Sequence, residues 1–173
     1  MIIVGDIGNT ETQICLINSK NIIIKRVTLV TKKINSLLLK KSLSHLNLKG
    51  KSIDKCLFCS VVPKSFNEIK KFFNKTYKIK SHELKKLNLN RLIKIKVNYK
   101  QIGSDRLANA ISVINNIDNF IILDFGTATT FDVLLKNTYH GGVIAPGVKL
   151  SLDTLTDKAT QIPKINLKKT NKV

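Results

Sequence analysis

Two short segments of the chain carry the same arrangement of residue types. Ile2-Ile3-Val4-Gly5-Asp6-Ile7-Gly8-Asn9-Thr10 is an apolar strand running into Asp-x-Gly and a hydroxyl. Phe120-Ile121-Ile122-Leu123-Asp124-Phe125-Gly126-Thr127 repeats that pattern, and a further apolar run follows each copy. A buried strand delivers a carboxylate to its mouth, and glycine lets backbone N–H groups approach an anion closely. Thr and Asn add short polar contacts. Facing each other, two such turns would grip the phosphates of a nucleotide, with Asp6 and Asp124 managing cations. One copy alone carries little weight, because Asp and Gly are ordinary turn residues and Asp124 could simply cap backbone amides. A third carboxylate, Asp105, opens a helix in Gly103-Ser104-Asp105-Arg106. By residue type it is either a first-turn acid beside Ser104 or a base for a hydroxyl. Arg106 is either a surface cation or a partner for an anionic group.

The elements that must position these residues follow from hydrophobic periodicity. Strands are predicted at 2–6, 13–18 and 22–29, then a helix over 34–47 carrying Ile34, Leu37, Leu38, Leu43 and Leu46. A strand at 56–62 ends at Pro63, and a helix at 65–74 follows with Ile69, Phe72 and Phe73 on one side. A short strand at 77–80, a basic amphipathic piece at 82–88 and a strand at 92–97 complete a first lobe. The helix from Gly103 runs to about 116, after which strands at 119–125, 129–135 and 139–145 and a helix at 148–159 restart the pattern. The boundaries expected are 1–117 for the first lobe and 118–173 for the second.

Composition excludes some functions. The formal net charge is +19, from 30 Lys plus Arg against 11 Asp plus Glu. Nearly all the cations are Lys, with Arg only at 26, 91 and 106, and aromatics are 6% of the chain with no Trp. Specific nucleic-acid readers lean on Arg and stacking aromatics, so a basic nucleic-acid-binding protein is a minor alternative and the charge implies weak, salt-sensitive sticking only. No apolar run of about 18 residues exists to span a membrane, and no export signal is visible. A cytoplasmic, soluble chain is expected. Cys15, Cys56 and Cys59 are odd in number and read as core filler, and His45, His82 and His140 share no metal-ligand spacing.

The order of elements, with its restarted strand–Asp-x-Gly–hairpin opening, resembles the duplicated α/β fold of actin, hexokinase and acetate kinase, a ribonuclease H-like ATPase fold. Five motifs occur in sequence: Asp6-Ile7-Gly8-Asn9-Thr10, Ser60-Val61-Val62-Pro63, Gly103-Ser104-Asp105-Arg106, Asp124 through Thr130, and Gly141-Gly142-Val143-Ile144-Ala145-Pro146-Gly147. Together they resemble the type III pantothenate kinase family over essentially the whole chain. The resemblance implies ATP-dependent phosphorylation of pantothenate at its primary hydroxyl, the first step of coenzyme A synthesis, by a homodimer. It places the first phosphate loop, which binds ATP, on Asp6, Ile7, Gly8, Asn9, Thr10, Glu11, Thr12 and Gln13, and a further ATP contact on Thr127. It makes Asp105 the catalytic base and puts pantothenate against Tyr99, Gly103, Ser104, Asp105 and Arg106. Asp124 would hold a monovalent cation, potassium or ammonium, and Mg2+ would accompany ATP. The family continues beyond the Pro163 region, so the resemblance also implies a C-terminally truncated member, with the first lobe complete and the second incomplete. An inactive homologue that binds nucleotide or regulates a partner is the alternative.

Overall fold

The computed structural model describes residues 1–48, 52–159 and 163. Its architecture is two sheets with a helix between them. In the first sheet β1 (Ile2–Ile7), β2 (Glu11–Ile17) and β3 (Ile23–Val30) form an antiparallel meander. β4 (Lys55–Ser60) then pairs parallel to β1, and β5 (His82–Glu83) parallel to β4, giving the order β3-β2-β1-β4-β5. The parallel step needs a crossover. It is made by α1 (Ser36–Leu43), whose Asn35 side chain accepts a capping hydrogen bond from Leu38 N. The return to β5 is made by α2 (Pro63–Tyr77), which starts on proline, a residue whose fixed φ suits the first helical position. Ile3, Ile14 and Leu16 from the strands, Leu39 and Leu43 from α1, and Phe58, Ile69 and Phe73 from β4 and α2 fill this core without exposure.

The second sheet repeats the opening. β7 (Asn119–Phe125), β8 (Ala128–Leu135) and β9 (Thr138–Pro146) form an antiparallel meander, with the β8–β9 turn at Lys136-Asn137. α3 (Ser104–Ser112) packs on β8 from one side and on β4 from the other. Leu107 and Ala110 of α3 join Leu134, Tyr139, Ile93 and Ile102 in a second core. α4 (Val148–Lys158) follows β9. In the first sheet β1 lies between β2 and β4, whereas its counterpart β7 is an edge strand. Ile121, Leu123 and Phe125, on one face of β7, are exposed, as are Val143 and Ile144 on β9. The sheet's other face, with Phe120 and Ile122, packs toward α3. No helix among the described residues is long and apolar enough to cross a membrane.

Several local expectations differ from the structure for physical reasons. The strand expected at 77–80 is absent, because α2 continues to Tyr77 and ends on Lys78 at φ 59°. Phe72, Phe73 and Tyr77 form ring contacts at about 6 Å along that last turn, extending the helix's apolar side. The first helix is shorter than 34–47: it gives way to a 3₁₀ turn, Ser44–Leu46, closed by Asn47 in the left-handed region. α3 stops at Ser112, where the Asn115 side chain accepts from the Ile117 and Asp118 amides and turns the chain toward β7. The strand expected at 92–97 reduces to β6 (Lys94–Ile95). It pairs parallel with β9 and so belongs to the second sheet, a long-range choice that periodicity cannot see.

Beside Asp6, Gly5 has no room for a side chain. A Cβ there would lie 2.3 Å from the ring of Phe58, which is fully buried. Gly5→Ala is therefore expected to destabilise the fold by roughly 1–3 kcal/mol through overpacking, seen as a lower midpoint in urea or thermal unfolding. An unchanged midpoint would show that the Phe58 ring moves aside freely.

Candidate functional site

The first turn is built on a polar support. Thr31, which follows β3, donates its hydroxyl hydrogen bond to Gly8 O at 2.7 Å, and its own N–H is bonded to Thr10 O. Thr12 Oγ1 lies 2.9 Å from Thr31 Oγ1 and is wholly buried. Its hydroxyl is therefore committed to the support and is not at the mouth. Ile7 is also fully buried, so only its backbone is available to a ligand. Asn9, Thr10, Glu11 and Gln13 are exposed around Gly8. Of the eight loop positions expected to meet ATP, Ile7 and Thr12 thus serve the scaffold by their side chains.

The two turns meet. Thr10 Oγ1 and Thr127 Oγ1 share a hydrogen bond at 2.9 Å, across 117 positions of sequence. Gly147, between β9 and α4, donates its N–H to Thr127 O at 3.1 Å and holds the second turn from behind. Asp6 at the end of β1, Asp105 in the first turn of α3 and Asp124 near the end of β7 then fall within one electrostatic neighbourhood. Crowding of protein around Asp6 raises its pKa, a hydrogen bond from Cys59 lowers it, and repulsion from Asp105 and Asp124 raises it further. The net effect is upward.

Each carboxylate has a positioning contact. Cys59, the parallel partner of Asp6 across β1 and β4, donates its thiol to Asp6 Oδ1 at 3.3 Å. Burial first, and then Asp6, push that thiol far above its ordinary range, so it stays a donor. Asn109, one helical turn after Asp105, donates Nδ2 to Asp124 Oδ2 at 2.8 Å. Asp105 Oδ1 accepts from Arg106 N at 2.8 Å and lies against Gly103, where a Cβ would come within 2.2 Å of it. No three His, Cys, Asp or Glu side chains converge as a metal cage among the described residues. The donor set fits instead a cation shared with phosphate oxygens, since Mg2+ is commonly held by one or two carboxylates plus substrate phosphates.

The expected pantothenate residues divide. Tyr99 lines a cavity of about 750 Å³ with Ser60, Pro63, Glu83, Lys85 and Lys100. Its hydroxyl donates to Lys85 O at 2.9 Å, and Lys85 Nζ sits 5.2 Å above its ring. Ser104 is buried and donates to Glu83 Oε1 at 2.6 Å, so its hydroxyl is already spoken for. Arg106 is not a surface cation. It is 9% exposed, and its guanidinium bonds Asp132 on β8. Sequence reasoning missed Cys59, Asn109, Asp132 and Tyr139. Asn109 was signalled by its spacing of four from Asp105, and Asp132 by being an acid inside an apolar strand. Cys56, three positions before Cys59 on the same strand, points the other way toward Ser81, and burial first of all pushes its pKa up to about 11.

Comparison with known proteins fits this geometry. The family model described as type III pantothenate kinase matches residues 2–173. The type III pantothenate kinase of Pelagibacter ubique is 86% identical over 173 residues, which is all of this chain and 70% of that protein. That of Sulfurihydrogenibium sp. is 35% identical, matching all of this chain and 71% of the relative. A solved Campylobacter jejuni structure, assigned to a Baf family of transcriptional activators, aligns with TM-score 0.51 at 17% identity. That alignment covers 97% of this chain and 68% of the other, and at this identity the likeness is one of fold. With its actin-like pair of Asp turns and a family match along nearly its whole length, the chain belongs to the type III pantothenate kinase family.

Proposed function

We propose that this chain transfers the γ-phosphoryl group of ATP to the primary hydroxyl of pantothenate, giving 4′-phosphopantothenate in coenzyme A biosynthesis. The observation that carries this is the junction of two Asp turns and a helix start: Thr10 of the first turn bonds Thr127 of the second, and Asp105 and Asp124 lie close enough to Asp6 to repel its charge. Phosphoryl transfer asks a protein mainly for positioning and charge neutralisation. The exposed residues Asn9 and Thr10, on the turn closed by the Gly8 N–H bond to Glu11 O, and exposed Thr127 on the second turn would hold the phosphates. Asp6 would share Mg2+ with them, and Asp124 a potassium or ammonium ion, each ion offsetting negative charge on the transferring group. Asp105 accepts the proton of the substrate hydroxyl as the bond to phosphorus forms. Tyr99 and Gly103 line the approach for pantothenate. A homodimer in the cytoplasm completes the proposal, supported by family membership. An inactive nucleotide-binding relative is less well supported, because all three carboxylates are in place.

The test is pantothenate-dependent ADP release with ATP, Mg2+ and K+, comparing the wild type with Asp105→Asn. Loss of the base is expected to lower kcat by about 10²–10⁴-fold while the protein remains folded. No pantothenate-dependent turnover from folded wild-type protein would remove the proposal. Replacing K+ by Na+ or choline is expected to lower turnover as well, and an unchanged rate would refute the role given to Asp124.

The raised pKa of Asp6, caused first by burial and then by repulsion from Asp105 and Asp124, makes a further expectation. A carboxyl whose pKa is raised in the folded state binds its proton more tightly there than in the unfolded chain. It therefore opposes folding as pH rises above the ordinary Asp range, near pH 4. Asp6→Asn should raise the melting temperature of the nucleotide-free protein at pH 7 and abolish turnover. The gain should vanish near pH 4, and a lower melting temperature at pH 7 would show that Asp6 is held by an attraction.

A further inference from the structure

Arg106, Asp132 and Tyr139 form a buried polar node between α3 and the second sheet. Asp132 is 0%, Tyr139 1% and Arg106 9% exposed. Arg106 Nε donates to Asp132 Oδ1 at 2.8 Å, and its Nη2 lies 2.6 Å from the same oxygen. The Tyr139 hydroxyl, from β9, donates to that oxygen too. Asp132 Oδ2 accepts no hydrogen bond among the described residues, so Arg106 and Tyr139 are what compensates the carboxylate. A charge buried without its partner is strongly unfavourable, which commits Arg106 to Asp132.

The backbone makes room for this contact. A Cβ at Gly142, the β9 residue opposite Asp132, would lie 1.9 Å from Phe131 O and 2.8 Å from Arg106 Nη2. The sheet is kept thin where the guanidinium enters. Along β8, Asp132 is two residues from Thr130, the register partner of Asp124. Arg106 directly follows Asp105. The node therefore fixes the first turn of α3, and with it the Asp105 carboxylate, at a set position relative to the Asp124 turn. The Asn109–Asp124 bond is a second tie between the same two elements.

We propose that Asp132 and Tyr139 are positioning residues for phosphoryl transfer, clamping Arg106 so that Asp105 is held against the phosphate turns. The proposal rests on the kinase reading given above. In wild-type-length protein, Asp132→Asn should lower kcat by about 10²-fold, the loss expected of a misplaced reacting group, with KM for pantothenate and for ATP within about twofold. Tyr139→Phe keeps the ion pair and should fold; its kcat should fall severalfold with the same constancy of KM. A pantothenate KM raised tenfold or more at unchanged kcat in either variant would overturn the proposal in favour of a substrate contact. A lowered melting temperature with both constants unchanged per folded molecule would reduce the node to structure alone. Hydrogen exchange gives a readout independent of turnover: the amides of residues 104–107 should exchange faster in both variants. Unchanged exchange there would defeat the clamp. If the wild type itself shows no turnover, the kinase reading falls while the exchange experiment still decides the clamp.

Discussion

The site depends on a set of like charges that must be kept together. Asp6, Asp105 and Asp124 come from β1, α3 and β7, and Asp6 is raised in pKa first by burial and then by repulsion from the other two. Nothing in the carboxylates themselves favours this arrangement. It persists because each is attached to an element whose position is fixed elsewhere: β1 by strands on both sides, α3 by a buried ion pair, and β7 by β8 and the Asn109 amide. In the proposed reaction, cations and the phosphates they accompany would offset that charge.

The two Asp turns use the same opening on different foundations. The first rests on Thr31, whose hydroxyl reaches Gly8 and also meets Thr12 inside the core. The second is braced by Gly147 from the start of α4, through its N–H to Thr127. One foundation is a side chain and the other is backbone. This explains why the repeat is strong in the turns and weak around them. A turn that must face phosphate constrains residue type at every position, whereas a support needs only one donor at the right height.

The turns, the lobed α/β order and the helix opened by Asp105 were legible because each is a local pattern. Apolar strands ending in Asp-x-Gly announce themselves by period and by glycine. What the sequence concealed was set by contacts between distant residues. β6 pairs with β9 and not with the first sheet, and no local signal distinguishes those partners. Arg106 reads by its neighbours as either a surface cation or a partner for an anionic group, yet it is buried and its guanidinium bonds Asp132 in the second sheet. Ser104 and Thr12 have the right chemistry for a ligand, but their hydroxyls serve Glu83 and Thr31. Cys59 looked like apolar filler because its neighbours on β4 are apolar. Parallel pairing then set it beside Asp6.

Charge on the whole chain and charge at the two Asp turns have opposite signs, and the two act over different distances. The formal net charge is +19, spread mainly over surface lysines, while the turns concentrate acids. At physiological salt, fields from exposed charges fade within about 8 Å. The lysines around the Tyr99 cavity (Lys70, Lys80, Lys85, Lys86 and Lys100) therefore act on anions close to that cavity. At the two turns the carboxylates dominate, so under the proposed function a phosphate would arrive there with cations that offset its charge and theirs. The composition that suggests nucleic acid at first sight is compatible with a small-molecule phosphotransferase.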